Sequence, residues 1–250
     1  MRVGLHPSIN EVMEIHTGIS TTEDGRHRIR GQELSDLIGE RSFSDVVFLL
    51  WRGDFPTPEE RSLLESMFVA VVEHGVEAPS IYVPRVVAST GNTLNAALAA
   101  GVLTIGERHG GAVEEAAFML ISENRAEDIV AERLAEKRVV PGFGHKVYTT
   151  EDSRATALFG KAKSLGFPCH AFAKAYAIEA SLEKAKGKKL PVNVDGALAA
   201  ALLELRFDPR YASAFFIIPR MVGMAAHVIE EKSAGGSYRR LTDTDTKKSP

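Results

Sequence analysis

Apolar residues recur at helical spacing along most of the chain. The clearest case begins at Thr57-Pro-Glu-Glu60, a capping box with proline at the first helical position. The apolar positions that follow it, up to about His74, recur at i, i+3, i+4 spacing and predict an amphipathic helix: Leu63, Leu64, Met67, Phe68, Val71 and Val72. Ahead of it, Ser42 precedes a nearly continuous apolar run that ends near Trp51, which predicts a buried helix with a serine cap.

Helical signals dominate from Gln32 onward. Further helices are predicted over 92–106, 110–122, 126–138, 154–164, 170–186, 195–203 and 209–231. Pro219 should kink or split the last of these helices, because proline lacks the amide hydrogen that a helix interior uses. Residues 1–31 are polar and rich in turn residues, so short extended pieces are expected there. Residues 232–250 are typical of a mobile tail.

Two neighbouring helices have unusually small faces. Residues 96–101 contain four alanines and a glycine, and a second small-residue segment covers 110–117. His109 lies between them. Small faces let backbones approach closely, so this pair predicts a helical subunit interface beside an active site. Packing of the two helices within one chain is equally consistent with the sequence.

Bulk composition excludes several classes of protein. The chain has 250 residues and a net charge of −3, so no global basic field would recruit nucleic acid or a membrane surface. The start of the chain lacks a signal-peptide core, and no uninterrupted apolar run would span a bilayer. The single cysteine, Cys169, excludes an intrachain disulfide and a cysteine-rich metal site. A cytoplasmic enzyme or binding protein fits these properties.

The chemistry is expected around the stretch Val140-Pro-Gly-Phe-Gly-His-Lys-Val-Tyr148. A proline and two glycines impose an irregular loop between helical regions, and polar residues including His145 follow it directly. A plain connection between helices needs no such cluster. The alternative is a helix–helix turn whose polar residues are solvated.

Five polar residues stand out as candidates for catalysis or binding: His109, His145, Arg154, Asp195 and Arg220. Asp195 starts an apolar helix, where a simple N-cap is the alternative. Arg220 interrupts an apolar run, and a buried guanidinium must be paired or face a ligand. The chain has no metal-ligand motif, no nucleophile elbow, no phosphate-binding loop and no dinucleotide fingerprint. Histidines, a carboxylate and arginines together suit acid–base chemistry at a carbon next to a carbonyl, with arginines clamping carboxylates.

Several ordered motifs resemble the citrate synthase superfamily over nearly the whole chain. They are Arg28-Ile-Arg-Gly31, the run from Ser42 through Leu50-Trp-Arg-Gly-Asp-Phe-Pro-Thr57, His109-Gly-Gly-Ala112, Pro141-Gly-Phe-Gly-His145 and Asn193-Val-Asp195. Within the superfamily, Leu103–Ala112 and Val192–Gly196 are most similar to citryl-CoA lyases and to the lyase module of ATP-citrate lyases. The resemblance implies reversible cleavage of (3S)-citryl-CoA to acetyl-CoA and oxaloacetate.

The resemblance assigns a role to each of the three catalytic residues. His109 would hold the thioester oxygen as an enolate, His145 would bond the oxaloacetate carbonyl or citryl hydroxyl, and Asp195 would exchange a proton with the acetyl methyl carbon. Arg154, nine residues after His145, and Arg220 would bind substrate carboxylates.

The remaining implied site residues would contact the outer parts of the substrate. Where citrate synthases carry a further substrate-binding histidine, only Arg85 or Tyr82 aligns. Arg239 or Arg240 is expected to reach a partner subunit's site. The coenzyme A portion would lie on a loop and a lysine that share one segment: Pro141, Gly142, Phe143, Gly144 and Lys146. No tightly bound cofactor is expected, since coenzyme A enters as part of the substrate.

The resemblance also implies an all-α, citrate synthase-like fold that acts as a homodimer. A large helical domain would comprise residues 1–112 and 200–250, and a small coenzyme A-binding domain would comprise 113–199, with the active site in the cleft. Two other functions stay open. One is a citrate or 2-methylcitrate synthase, which also hydrolyses the thioester. The other is an inactive homologue that serves as a binding or regulatory subunit.

Overall fold

The structure is a computed structural model, and it describes residues 16–145, 149–241 and 245. The chain divides into two compact units, Met1–Pro56 and Thr57–Pro250. The sequence predicts a different division, into a large domain of residues 1–112 and 200–250 and a small domain of residues 113–199 on either side of an active-site cleft. That division stays a prediction.

The first unit pairs a small sheet with two helices. The strands are β1 (Ser20–Glu23), β2 (Arg26–Ile29) and β3 (Gln32–Glu33), and the helices are α1 (Leu34–Glu40) and α2 (Phe43–Trp51). The sheet is antiparallel in the order β1-β2-β3, with Ser20 opposite Ile29 and Arg28 opposite Glu33. Ser42 and Asp45 form a capping box that starts α2, as the sequence predicts. The expected short extended pieces are therefore present as strands.

The second unit consists mainly of helices joined by loops in its described part. Its helices are α3 (Pro58–Val71), α4 (Pro79–Ser89), α5 (Leu94–Val102), α6 (Ala112–Ile121), α7 (Ala126–Ala135), α8 (Ser153–Ser164), α9 (His170–Lys186), α10 (Val194–Glu204) and α11 (Ala212–Ala234). The mostly helical class predicted from the sequence is confirmed.

Three local features differ from what the sequence indicates. No helix is predicted over 79–89, where α4 forms with Pro79 at its start and Pro84 inside it. The predicted split of α11 at Pro219 is wrong, since one helix continues from Ala212 to Ala234, and the alternative of a kink stays a prediction. Helix α3 ends at Val71, three residues before the expected His74. The last difference matters because it leaves His74 in a loop.

The core forms around α10 and α11. Helix α10 packs against α3, α6, α8 and α9, and α11 packs against α3, α4, α5 and α6. The interior of α10 is completely buried from Ala197 to Leu202, which explains why its sequence is apolar on all sides. Arg220 of α11 is therefore held in an apolar interior, where a polar group needs a partner.

The apolar character of α11 bears on the membrane question. Within the described residues, Pro209–Ala234 is long and apolar enough to cross a bilayer by length and composition alone, with 44% of its most apolar window buried inside the protein. A search for an uninterrupted apolar run misses this segment, because Arg220 interrupts it. A buried core helix passes the same test, so the match is weak support for a membrane span.

Candidate active site

His109 lies in a tight turn that leads into α6. Gly106 and His109 bond each other's backbones at 3.0 and 2.8 Å. The imidazole meets the Phe216 ring edge-on, with 5.7 Å between centroids. Its Nε2 atom lies 2.8 Å from the hydroxyl of Ser80, which is fully buried. Burial, and then the charge of Arg220, lower the pKa of His109. The ring is therefore neutral near pH 7 and suited to hydrogen bonding rather than to carrying charge.

The loop before His145 is joined to the segment before α10. The Gly142 carbonyl accepts from Asn193 N at 3.0 Å, and Gly144 N donates to the Pro191 carbonyl at 2.7 Å. A Cβ atom on Gly142 would lie 2.8 Å from the Cα atom of Gly196, so these two segments of the chain touch through their glycine backbones. This contact fixes the loop that ends at His145 against the helix start that carries Asp195.

Asp195 is the second residue of α10 rather than its cap. Asn193 is the cap, and its Oδ1 atom accepts from the amides of Asp195 and Gly196 at 3.0 and 3.2 Å. Burial raises the pKa of Asp195 to about 6, although the charges of Arg154 and Arg220 oppose the rise. A helix start favours an ionised carboxylate, but burial outweighs this effect at Asp195 because the carboxyl is desolvated. A carboxyl poised near neutrality suits proton exchange.

Asp152 holds Arg154 in place. The Asp152 carboxylate is completely buried and accepts from Arg154 Nε at 2.9 Å, from Arg154 Nη2 at 2.8 Å and from the amide of Val194 at 3.1 Å. It also caps α8. Burial opposes its ionisation, but the bonds from Arg154 outweigh burial and lower the pKa of Asp152. One carboxylate thus ties the start of α8, the guanidinium of Arg154 and the start of α10 together.

Arg220 is buried on α11 with one nitrogen unsatisfied. Its exposed fraction is 1%, and its Nε donates to the Val71 carbonyl at 2.7 Å. The guanidinium lies 4.8 Å from the Phe216 ring centroid. Among the described residues, Arg220 Nη1 is the fully buried side-chain nitrogen or oxygen that has no hydrogen-bond partner. A buried donor left unpaired is costly, which points to an anionic ligand at this atom.

His74 is a site residue that the sequence interpretation missed. Its Nδ1 lies 3.0 Å from Arg154 Nη1, and its ring meets that of His145 edge-on at 5.8 Å. Because a guanidinium only donates, Nδ1 accepts and the proton of neutral His74 is on Nε2. Burial, followed by the charges of Arg154 and Arg220, lowers the pKa of His74. His74 lies in the loop after α3, where helical periodicity gives no signal for it.

The structure brings the main predicted residues into one electrostatic cluster. Arg220 acts on His109, His74 and Asp195, and Arg154 acts on His74 and Asp195. Burial and the charge of Arg154 also lower the pKa of His145. The cluster therefore combines neutral imidazoles, one carboxyl near its titration point and two guanidinium groups.

The other predicted residues have different surroundings. Arg85 pairs with Glu230 at 2.7 Å and with Glu231 at 2.8 Å, and Arg239 also pairs with Glu231, at 2.6 Å. Arg240 and Tyr82 are exposed. Roles for these residues in substrate binding stay predictions.

The loop predicted to hold coenzyme A is mostly enclosed. Pro141, Gly142 and Phe143 are buried, Gly144 is partly exposed, and Lys146 lies outside the described residues. Within the part of the chain that the structure describes, no group of three histidine, cysteine, aspartate or glutamate side chains is placed to hold a metal ion.

Comparison with known proteins shows the family of the chain. Residues 56–241 match the model of the citrate synthase C-terminal domain. The chain belongs to the citrate synthase family. A Mycobacterium tuberculosis protein named as a citrate synthase is 33% identical over 196 residues, which are 76% of this chain and 52% of the relative. The chain thus spans about half the length of the curated family members that it matches.

Solved structures show the same fold. Citryl-CoA lyase from Hydrogenobacter thermophilus superimposes with a TM-score of 0.87 at 40% identity, and the match covers 94% of this chain and 95% of that one. ATP citrate lyase from Methanothrix soehngenii, solved with citrate and coenzyme A, gives a TM-score of 0.86 at 25% identity and covers 97% of this chain and 42% of that one. The predicted citrate synthase-like fold is confirmed, and the chain is an enzyme of this superfamily.

The burial of Asp195 predicts that its charge destabilises the fold. Above about pH 6 the folded carboxyl is ionised and poorly solvated, whereas below about pH 4 it is protonated in both folded and unfolded chains. Asp195→Asn should therefore raise the free energy of unfolding at pH 7.5 by on the order of 1–3 kcal/mol, with the gain shrinking as pH falls from 6 to 4. Urea denaturation at several pH values measures this. A variant less stable than the parent at pH 7.5 would contradict the raised pKa.

Asp152 should behave in the opposite way. Its folded pKa is lowered, so its stabilisation is present above the unfolded pKa and is lost as pH falls through the folded pKa. Asp152→Asn should lower the free energy of unfolding near neutral pH by about 3–5 kcal/mol, because Arg154 would lose its buried partner. The same urea series measures it, with Asp195→Asn as the matched aspartate-to-asparagine control. Equal effects from both substitutions would refute the difference between the two carboxyls.

Proposed function

We propose that the protein is a citryl-CoA lyase, which reversibly cleaves (3S)-citryl-CoA to acetyl-CoA and oxaloacetate. The observation that carries the reaction type is Asp195, because burial raises the pKa of its carboxyl to about 6 while the charges of Arg154 and Arg220 act on it. The 40% identity to a citryl-CoA lyase over nearly both chains supports the lyase activity.

Arg154 and Arg220 bind the carboxylates of the citryl group in this proposal. The unsatisfied Nη1 of Arg220 is a buried donor that a carboxylate oxygen would complete. Arg154 is already oriented by two bonds to Asp152, so little side-chain entropy is lost when it binds an anion. Two arginines fixed before binding suit a substrate that carries more than one carboxylate.

The histidines polarise the two oxygens where charge develops. His145 bonds the citryl hydroxyl and takes its proton as the carbon–carbon bond breaks, while His74 donates from Nε2 to the same oxygen. The bonding electrons move onto the acetyl fragment, where His109 stabilises the enolate oxygen. Asp195 then gives its proton to the enolate carbon, and acetyl-CoA and oxaloacetate result. The proton left on His145 passes to solvent and Asp195 regains one from solvent, so the enzyme is restored and the net reaction releases no proton.

Coenzyme A is part of the substrate in this scheme, and no tightly bound cofactor is required. The loop of Pro141, Gly142, Phe143 and Gly144, with Lys146, is proposed to lie along it. The partly exposed Gly144 supports such a contact, whereas the buried Pro141, Gly142 and Phe143 support the loop's shape.

The main alternative is a citrate or 2-methylcitrate synthase, supported by the name of the M. tuberculosis relative. The two activities differ in the fate of the thioester. With citryl-CoA supplied, a lyase yields acetyl-CoA and oxaloacetate in equal amounts, and free thiol does not accumulate. We expect this result from chromatography of the thioesters. Free coenzyme A and citrate would instead establish a synthase, and binding of coenzyme A without turnover would establish a binding or regulatory homologue.

Removing the acid–base carboxyl should abolish turnover without unfolding the protein. Asp195→Asn should lower kcat for citryl-CoA cleavage about 10²–10⁴-fold, because asparagine cannot give a proton to the enolate carbon. The matched control is Asp128→Asn on the exposed side of α7, which should leave kcat unchanged. Full cleavage activity in Asp195→Asn would eliminate Asp195 as the proton donor.

A homodimer is proposed on the basis of an apolar stripe along α11. Ile218, Val222, Ala225 and Ile229 recur on one side of the helix, and Val222 and Ile229 are 64% and 52% exposed. Exposed apolar area of this kind is typical of a subunit interface. Val222→Glu should shift sedimentation from a dimer to a monomer, because a carboxylate would be buried in the interface. Sedimentation of the parent as a monomer at micromolar concentration would refute the homodimer.

A further inference from the structure

One face of α11 contacts three successive residues, of which the first is the last residue of α3 and the other two follow it. Arg220, Gly223 and His227 have i, i+3, i+7 spacing, which places them on one face of the helix. Arg220 Nε donates to the carbonyl of Val71, which is the last residue of α3. Since the last carbonyls of a helix have no partner within it, a cation at this point completes the end of α3.

Gly223 allows the two backbones to touch. A Cβ atom at position 223 would clash with the carbonyl oxygen of Val72 and would lie 3.4 Å from Cγ of Glu73. The neighbouring atom in the clash is backbone, so no side-chain rotation can relieve it. Any larger residue must push the segment after α3 away from α11.

Glu73 is bonded on both sides of its carboxylate. Its Oε1 lies 2.9 Å from Nε2 of His227, and its Oε2 accepts from the amide of Gly75 at 2.5 Å. Burial opposes ionisation, but the bonds from Gly75 and His227 lower the pKa of Glu73. The carboxylate is therefore charged near neutral pH. Its bond to the amide of Gly75 joins the residues immediately before and after His74 in the chain.

His227 has both ring nitrogens engaged. Its Nδ1 lies 3.1 Å from Nη1 of Arg85, and a guanidinium only donates. The hydrogen bonds therefore assign the proton to Nε2, which donates it to Glu73. Arg85 thus fixes the ring orientation of His227. The His227 ring in turn fixes the position of the Glu73 carboxylate.

We propose that Gly223, His227 and Glu73 are positioning residues that place the His74 imidazole against Arg154 and His145. The catalytic consequence rests on the proposed function, but the placement of His74 does not. The three residues hold the backbone immediately before and after His74, and the ring of His74 makes the contacts of 3.0 Å with Arg154 and 5.8 Å with His145.

The first test observes His74 without substrate. In ¹⁵N-histidine-labelled protein, with the His74 signal assigned from His74→Gln, a pH titration reports the His74 pKa, which burial and then the charge of Arg154 keep low. Gly223→Ala and His227→Leu should both raise the His74 pKa toward its ordinary value, because the ring moves out of its buried position and away from the guanidinium. An unchanged His74 titration in both folded variants would overturn the proposal.

Two matched controls separate positioning from general disturbance. Gly160→Ala alters an exposed helical glycine of α8 with no atom within 4 Å of the new Cβ, so His74 should titrate as in the parent. His227→Gln can still donate to Glu73 and accept from Arg85, so it should keep most of the parental His74 signal. If His227→Gln shifts His74 as far as His227→Leu does, the two hydrogen bonds do not position the ring. Should Gly223→Ala fail to fold, the His227 pair decides alone.

The second test measures cleavage of citryl-CoA. A misplacement of about 1 Å can cost on the order of 10²-fold in rate, so His227→Leu should lower kcat/KM by about 10–100-fold and His227→Gln should recover it. If the parent is inactive on citryl-CoA, the proposed function fails while the titration still decides the placement of His74. If the pKa of His74 shifts in His227→Leu while kcat/KM does not change, the link between the placement of His74 and catalysis is overturned.

Discussion

The candidate site depends on the buried ion pair between Asp152 and Arg154. Asp152 accepts from two nitrogens of Arg154, from the first turn of α8 and from the amide of Val194 at the start of α10. Breaking a buried pair by removing one partner is strongly destabilising, because the other charge is left uncompensated. The pair therefore fixes the distance between two helix starts and the orientation of the guanidinium that contacts His74.

Two aspartates in the same field illustrate how hydrogen bonding decides a pKa. Both Asp152 and Asp195 are desolvated, and both feel the charge of Arg154. Asp152 receives direct hydrogen bonds from Arg154 and Val194, so its pKa is lowered, whereas burial outweighs the arginine charges at Asp195 and raises its pKa to about 6. The negative charge of Asp152 also raises the pKa of Asp195. The negative charge of Asp152 thus helps to keep the proposed proton donor protonated.

The sequence was sufficient to predict what depends on periodicity and local chemistry. It predicted the helical class, the bounds of the helix over 170–186 and the cap at Ser42. It failed where tertiary contacts override local rules. The prolines at positions 79 and 84 give no helical signal over α4, and an aspartate at a helix start gives no sign of the burial that raises the pKa of Asp195. His74 was missed because its importance comes from residues 154 and 145, which lie far away in the chain.

The unsatisfied nitrogen of Arg220 shows how the site can be prepared at the expense of stability. Its Nε is bonded to Val71 and its plane is near Phe216, so the guanidinium cannot turn to find a partner for Nη1 without losing both contacts. An unpaired buried donor costs roughly 1–3 kcal/mol. Burial also disfavours the charged form of Asp195 on α10, which lowers the stability of the unliganded fold a second time. Under the proposed function, a carboxylate-bearing substrate would satisfy Nη1, so part of the strain held in the unliganded fold would be released on binding and would favour the bound state.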